Sequence, residues 1–313
     1  MKKTVILTLG FLLVAGTSHA TFSTGDSGTS TMQFLNLGVG ARALAMGQAF
    51  TSLSNDATAI NWNPAGLTQV NRMNLSAMHS AWLSDISNDW LLFTYPQDIG
   101  NFGVGLQYLS YGAISKIDDT GLATGEINPY DLAVMVSYSR KLEEVTPGLS
   151  GGLTAKLAVS KIENSASAIG FDIGFMYDGL VVNKGVLKLG LVARNLGSSM
   201  TFQDESNSMP AELKLGASYH LMSNWLVAAD LGLVADSGFK AGVGTEYEYW
   251  VVKDMCVVGR LGYNSLNHDI TGLKGITMGV GLMLHDDFGV DYAFVPYGDL
   301  GSTHSISLRL VLN

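Results

Sequence analysis

A period of two runs through most of this chain. Leu132, Val134, Val136 and Tyr138 alternate with Asp131, Ala133, Met135, Ser137 and Ser139. The same rhythm recurs over residues 153–160, 168–178, 213–219, 239–249, 276–284 and 306–312. Such alternation places one set of side chains on each face of a β-strand. Each segment is about ten residues long, enough for a tilted strand to cross a bilayer. Fourteen segments are expected, near 72–82, 88–96, 101–112, 128–140, 149–162, 168–178, 185–195, 209–220, 224–234, 238–250, 253–264, 275–285, 287–297 and 303–313.

The two faces differ in chemistry. One carries Leu, Val, Ile, Phe and Tyr; the other carries Gly, Ala, Ser and the mid-strand charges Lys156, Asp172, Lys188, Arg194, Glu212, Lys214, Asp230, Glu246, Glu248, Arg260, Asp291 and Arg309. A Lys or Arg facing lipid at the bilayer midplane costs about 2–4 kcal/mol. The charged face is therefore expected to line a lumen, where the balanced signs allow a salt-bridged network. Glycines at 103, 105, 151, 174, 190, 216, 242, 244, 262, 279 and 281 also fall on that face. They either help strands curve or leave room for something packed inside.

Alternation alone fits a soluble sandwich as well. The 313 residues are 47% hydrophobic and only 14% charged, against roughly 25% charged in soluble domains. So few charges cover a water-facing surface poorly and suit a wall that faces lipid. The expected fold is all-β: a transmembrane antiparallel up-and-down barrel of about fourteen strands. An even count puts both ends on the periplasmic side, with tight turns there and long loops outside. The long connections, 113–127, 196–208 and 265–274, fall on the outer side of that register. The net charge of −9, with no basic run beyond Lys2-Lys3, excludes nucleic acid as a partner. The lone Cys256 excludes a disulfide framework.

Residues 1–20 read as a signal peptide: Lys2-Lys3, an apolar core over 5–15, and small residues at Ser18 and Ala20. Residues 21–71 do not alternate. A Ser/Thr/Gly-rich leader over 21–31 precedes two short helical stretches, near 40–50 and 56–60, and Pro64 with Gly66 ends the second. The segment has too little apolar surface to fold alone. The lumen of the following barrel is its natural resting place, with Arg42 and Asp56 paired to lumen charges and Trp62 wedged against small residues; a periplasmic tail is the alternative. The domains expected are thus 1–20, 21–71 and a barrel over 72–313.

Two blocks carry a family resemblance: Gly40-Ala41-Arg42-Ala43-Leu44-Ala45-Met46-Gly47-Gln48-Ala49-Phe50, and Asn55-Asp56-Ala57-Thr58-Ala59-Ile60-Asn61-Trp62-Asn63-Pro64-Ala65-Gly66-Leu67. Together they resemble the N-terminal signature of the PorV/PorQ family, which is related to FadL-type long-chain fatty-acid transporters. Asn63-Pro64-Ala65 is similar to the hatch motif of that superfamily. The resemblance implies a luminal hatch built on Gly40, Ala41, Arg42, Met46, Gly47, Asp56, Ala57, Trp62, Asn63, Pro64, Ala65 and Gly66. It also implies an outer-membrane location and a part in type IX-like protein secretion, with cargo proteins and secretion components as partners beside outer-membrane lipid. Uptake of hydrophobic solutes such as long-chain fatty acids is the alternative. The last strand, 303–313, alternates but lacks a terminal aromatic, and assembly by the usual machinery is still expected.

No catalytic chemistry is legible. The six histidines are scattered, with no HExxH pair and no GxSxG elbow. The expectation is no enzyme, no cofactor and no metal. Asp118-Asp119 and Asp286-Asp287 read as solvated loop charge.

Overall fold

The computed structural model describes residues 28–182, 185–202, 205–265, 275–285 and 287–312. The signal-peptide reading of residues 1–20 lies outside them. Fourteen antiparallel strands close into one barrel: β1 (Met73–Ala81), β2 (Ser87–Tyr95), β3 (Asn101–Ser110), β6 (Tyr130–Lys141), β7 (Leu149–Lys161), β8 (Ser165–Val182), β9 (Gly185–Gly197), β12 (Glu212–Met222), β13 (Trp225–Val234), β14 (Gly238–Val252), β15 (Met255–Asn264), β16 (Ile276–Leu284), β17 (Phe288–Pro296) and β18 (Ser302–Leu312). Each pairs with its sequence neighbour in the wall, and β1 pairs with β18 from Met73↔Leu312 to Ala81↔His304 to close the ring. The barrel therefore has no free edge, which satisfies its backbone hydrogen bonds within a bilayer. No described helix is long and apolar enough to cross a membrane, which says nothing of strands.

The alternation has its expected sense. Val104, Val136, Leu157, Ile169, Leu215, Val243 and Val280 are exposed on the outer wall. Their neighbours Gln107, Ser137, Lys156, Asp172 and Thr277 are buried inside. Aromatic pairs mark both ends of one strand pair: Phe102 with Tyr138 (centroids 5.2 Å apart) and Tyr108 with Tyr130 (5.6 Å). Such belts suit the two membrane–water interfaces.

The near end of the barrel, where β1 begins and β18 finishes, has turns as short as 253–254 between β14 and β15. The far end carries the long connections, and two of these are hairpins: β4 (Ile114–Ile117) with β5 (Ala123–Ile127), and β10 (Met200–Phe202) with β11 (Glu205–Asn207). The β4 and β5 strands pair only with each other, within the long connection expected over 113–127. They rise beyond the wall instead of joining it. β8 is longer than the expected 168–178, because its ends continue pairing with β7 and β9 past the apolar stretch.

One glycine changes face. Gly151 points outward beside Leu142 and Phe175, and Gly152 is the inward residue, against the Pro64 backbone. The alternation of β7 is carried by Thr154, Lys156 and Ala158 on the inside, which puts even-numbered positions in the lumen.

Candidate functional site: the luminal segment and its seats

Residues 30–70 run inside the barrel, and 71–72 lead out at the near end into β1. At the far end, the Thr31 amide donates to Ser208 O (3.0 Å), and Ser30 and Gln33 both bond the Asp236 carboxylate. A 3₁₀ turn, Gln33–Asn36, buries Phe34 and Leu35. The helices are shorter than the composition suggests: α1 is Ala41–Ala45 and α2 is Ala59–Trp62. Gly40 (φ 84°) and Gly47 (φ 64°) hold left-handed conformations that bracket α1. α1 rests on β15–β18, while α2 and the next 3₁₀ turn, Pro64–Gln69, rest on β3 and β6–β8. The segment thus spans the lumen from wall to opposite wall.

Inward glycines form its seats. A Cβ at Gly262 would lie 2.2 Å from the Gly47 amide nitrogen, and one at Gly190 would lie 2.5 Å from Thr51 O. A Cβ at Gly174 would lie 2.0 Å from Asn63 Oδ1, and one at Gly152 2.4 Å from the Pro64 carbonyl carbon. At these places the segment lies against the wall with no space for a methyl group. Within the segment, Asn63 caps the turn that begins at Pro64 by accepting from the Ala65 amide (3.2 Å). It also donates to Thr51 O (2.9 Å) and to Phe175 O on β8 (3.2 Å). Gly66 is required by contact, since a Cβ there would overlap Ser54 O at 1.9 Å.

The luminal charges fall into clusters that grip this segment. Arg42 makes a bidentate pair with Glu246 (2.8 Å to each oxygen). Arg260 bonds the same Glu246 (2.6 Å) and Asp291 (2.6 Å). Asp230 accepts from the Phe50 and Thr51 amides (3.0 Å each) and from the Thr51 hydroxyl (2.6 Å), with Lys214 at 3.2 Å. Lys214 also donates to Gln48 O (2.9 Å), and Lys188 to the Gln69 side chain (2.5 Å). Arg194 joins Glu212 (2.9 Å), Asn61 (3.0 Å) and Leu35 O (3.3 Å). Lys156 and Asp172 pair at 2.7 Å with both side chains fully buried.

Two residues of the segment differ from expectation. Asp56 finds its partners inside the segment: it accepts from the Thr58 amide (2.8 Å) and hydroxyl (2.5 Å), and lies 4.0 Å from Arg42. An Asp two residues before an amide is placed to close its own turn. Trp62 does face Gly38, but its ring also lies under two cations, Lys214 Nζ at 4.9 Å and Arg194 Cζ at 5.6 Å from the centroid. Its indole N–H donates to Val39 O (2.8 Å). The remaining motif residues sit between these contacts. Gly40 donates to Met78 Sδ (3.0 Å), Ala41 to Ser307 Oγ (2.7 Å) and Gly47 to Thr277 Oγ1 (3.0 Å), while Met46, Ala57 and Ala65 are fully buried.

Asn195 is the residue that pattern reading misses. A bulge puts Arg194 and Asn195 together opposite Asp172, so both point inward. Asn195 has φ 56°, and its amide donates to Asp172 Oδ1 (2.8 Å) while its side chain accepts from Lys156 (2.8 Å). The signal for it was an Arg-Asn pair at a strand end, where strict alternation would send one of the two into lipid. Among the described residues no group of His, Cys, Asp or Glu is arranged to hold a metal. Asp118 instead caps its own hairpin turn, accepting from the Thr120 hydroxyl (2.6 Å) and amide (2.9 Å).

A family model described as "Type IX secretion system protein PorV" matches residues 22–231. A curated relative, a "UPF0164 protein" of Treponema pallidum (strain Nichols), is 24% identical over 212 residues, covering 64% of this chain and 52% of the relative. This chain spans about half the length of that protein. The Pseudomonas putida toluene transporter TodX has a similar fold (TM-score 0.59, 14% identity, 88% of this chain and 99% of that one). So do the Ralstonia pickettii toluene transporter TbuX (0.57, 15%, 88% and 99%) and a Pseudomonas aeruginosa FadL homologue (0.54, 10%, 88% and 98%).

Proposed function

Because this chain belongs to the PorV family of type IX secretion system proteins, we propose that it is a non-enzymatic component of protein secretion and surface attachment that docks cargo proteins. It is a closed β-barrel of the outer membrane, and its near end is therefore taken as periplasmic. The observation that carries the docking reading is the pairing of a filled lumen with raised outer hairpins. Residues 30–70 occupy the interior, held by a buried ion pair and by hydrogen bonds to charged wall residues, which suits a receptor better than an open pore. Outside, the β4–β5 hairpin presents Ile114, Ile117 and Leu122 to solvent, the last two at 66% and 68% exposure. An exposed two-stranded edge with apolar side chains fits addition of a partner strand. Cells lacking the gene are expected to lose surface-attached cargo, and so are cells in which residues 113–128 are replaced by a short turn. An unchanged surface proteome in the deletion strain would sink this function.

Uptake of a hydrophobic solute is the second reading. It is supported by the apolar cluster at the outer end of the lumen, where Met32, Phe34, Leu109, Met200, Met209 and Val295 pack together. Withdrawal of the luminal segment would bare that cluster as a greasy site. Proteoliposomes carrying the protein should then accumulate a labelled fatty acid faster than empty ones, and equal rates would remove this alternative.

A further inference from the structure

Between the luminal segment and the wall strands β14–β18 and β1 lies a cavity of about 300 Å³, at the small end of ligand-pocket sizes. It sits toward the periplasmic ends of those strands, with Trp250 on the inward face at its mouth, 47% exposed. Arg309 projects into it, and its situation is unlike that of the other luminal arginines. Arg42, Arg194 and Arg260 each have a carboxylate within 2.9 Å. Among the described residues Arg309 has none within 4.0 Å. Its Nη2 reaches only the Met283 thioether (3.4 Å), and its Nε is buried with no hydrogen-bond partner. A guanidinium held partly out of water without an anion is costly.

The carboxylates that share the cavity do not fill this need. Glu246 is held between Arg42 and Arg260, Asp291 is bonded by Arg260, and Asp56 is turned to Thr58 and Arg42. Glu248 lines the same space with no cation within 4.0 Å among the described residues, and its negative charge disfavours a ligand of high charge. The rest of the lining is mixed: Ser76, opposite Arg309 on β1, and Ser307 bring hydroxyls, while Met78, Val258 and Met283 supply apolar surface. We infer that the cavity is a binding site, open to the periplasm, for a monocarboxylate with a small apolar body, its carboxylate paired to Arg309. Guanidinium and carboxylate match in planar, bidentate geometry, and Met78, Val258 and Met283 take the body. The site is separate from the outer hairpins and stands whether or not these dock cargo.

Phenylacetate, neutral phenylacetamide and inorganic phosphate serve as probes, titrated calorimetrically into the purified full chain in detergent. Phenylacetate is expected to bind at least tenfold more tightly than either of the other two. R309Q should weaken phenylacetate at least tenfold, and E248Q should tighten it by removing a repelling charge. Folding is checked by heat-modifiable gel mobility. Without ligand, R309Q should melt no lower than the wild type, because it removes an unpaired charge, whereas R260Q should melt lower. Phenylacetate should raise the wild-type midpoint and leave that of R309Q unchanged. Absence of phenylacetate binding, equal binding by the amide, or equal binding by a folded R309Q would overturn the assignment. Phosphate binding as tightly as phenylacetate would overturn the monocarboxylate class.

Discussion

Side chains at the seats of the luminal segment are held by contact and by charge, and the two respond differently to substitution. Gly262 meets the Gly47 backbone, which cannot move aside, whereas a Cβ on Gly259, on the outward face of the same strand, meets nothing within 4 Å. Gly262→Ala is expected to destabilise by about 1–3 kcal/mol, as overpacking does, and Gly259→Ala to leave the melting midpoint unchanged. Thermal melting of both variants in detergent makes the comparison. The Lys156–Asp172 pair tests the other kind of hold. Lys156→Met strands a fully buried carboxylate, and losses of about 3–5 kcal/mol are typical of such breaks. The double variant Lys156→Met/Asp172→Leu should recover part of that loss, though the Asn195 amide would still lack its acceptor. Denaturant unfolding of the single and double variants measures the difference.

Elements differ in how far the sequence announces them. The barrel strands were legible because an apolar outer face and a polar inner face are both required, and only a period of two delivers them. The stretch 113–127 was legible as an outer connection because the alternation lapses there, with Ile114 and Ile117 three apart, but that lapse did not announce the β4–β5 pairing. The short helices were blurred because Ala, Leu and Met favour helix throughout 41–50, while Gly47, at φ 64° and pressed against the backbone of β14 and β15, turns the chain just after Ala45. Luminal charges were legible as a set, but their partners were not. Pairing depends on which strands face which turn of the segment, and the bulge at Asn195 shifts that register. The β4–β5 hairpin itself is tied down by electrostatics. Lys116 bonds Glu163 on the neighbouring connection, and this bond with the attraction of the ammonium holds the Glu163 carboxyl below its usual range. The Thr120 hydroxyl and the Leu122 amide do the same for Asp118. Both folded values lie below the unfolded ones, so the stabilisation is present above the ordinary carboxylate range, near pH 4, and is lost as pH falls through the depressed values. Amide exchange over 113–128 should be protected at pH 7 and lose that protection in acid, and Lys116→Met should weaken the protection already at pH 7.

At the scale of the whole molecule, the closed wall and its contents make one structure. If residues 28–69 seal the lumen, removing them should convert a silent barrel into a conducting one. Planar-bilayer recordings are expected to show large, steady openings for the deletion and none for the full chain. The luminal segment continues directly into β1, and β1 is one half of the seam that β18 closes. Opposite walls of the lumen hold the same segment, so docking the segment also ties those walls together across the interior. The seam from Met73↔Leu312 to Ala81↔His304 therefore does two things at once: it closes the ring and fixes the point at which the luminal segment leaves it.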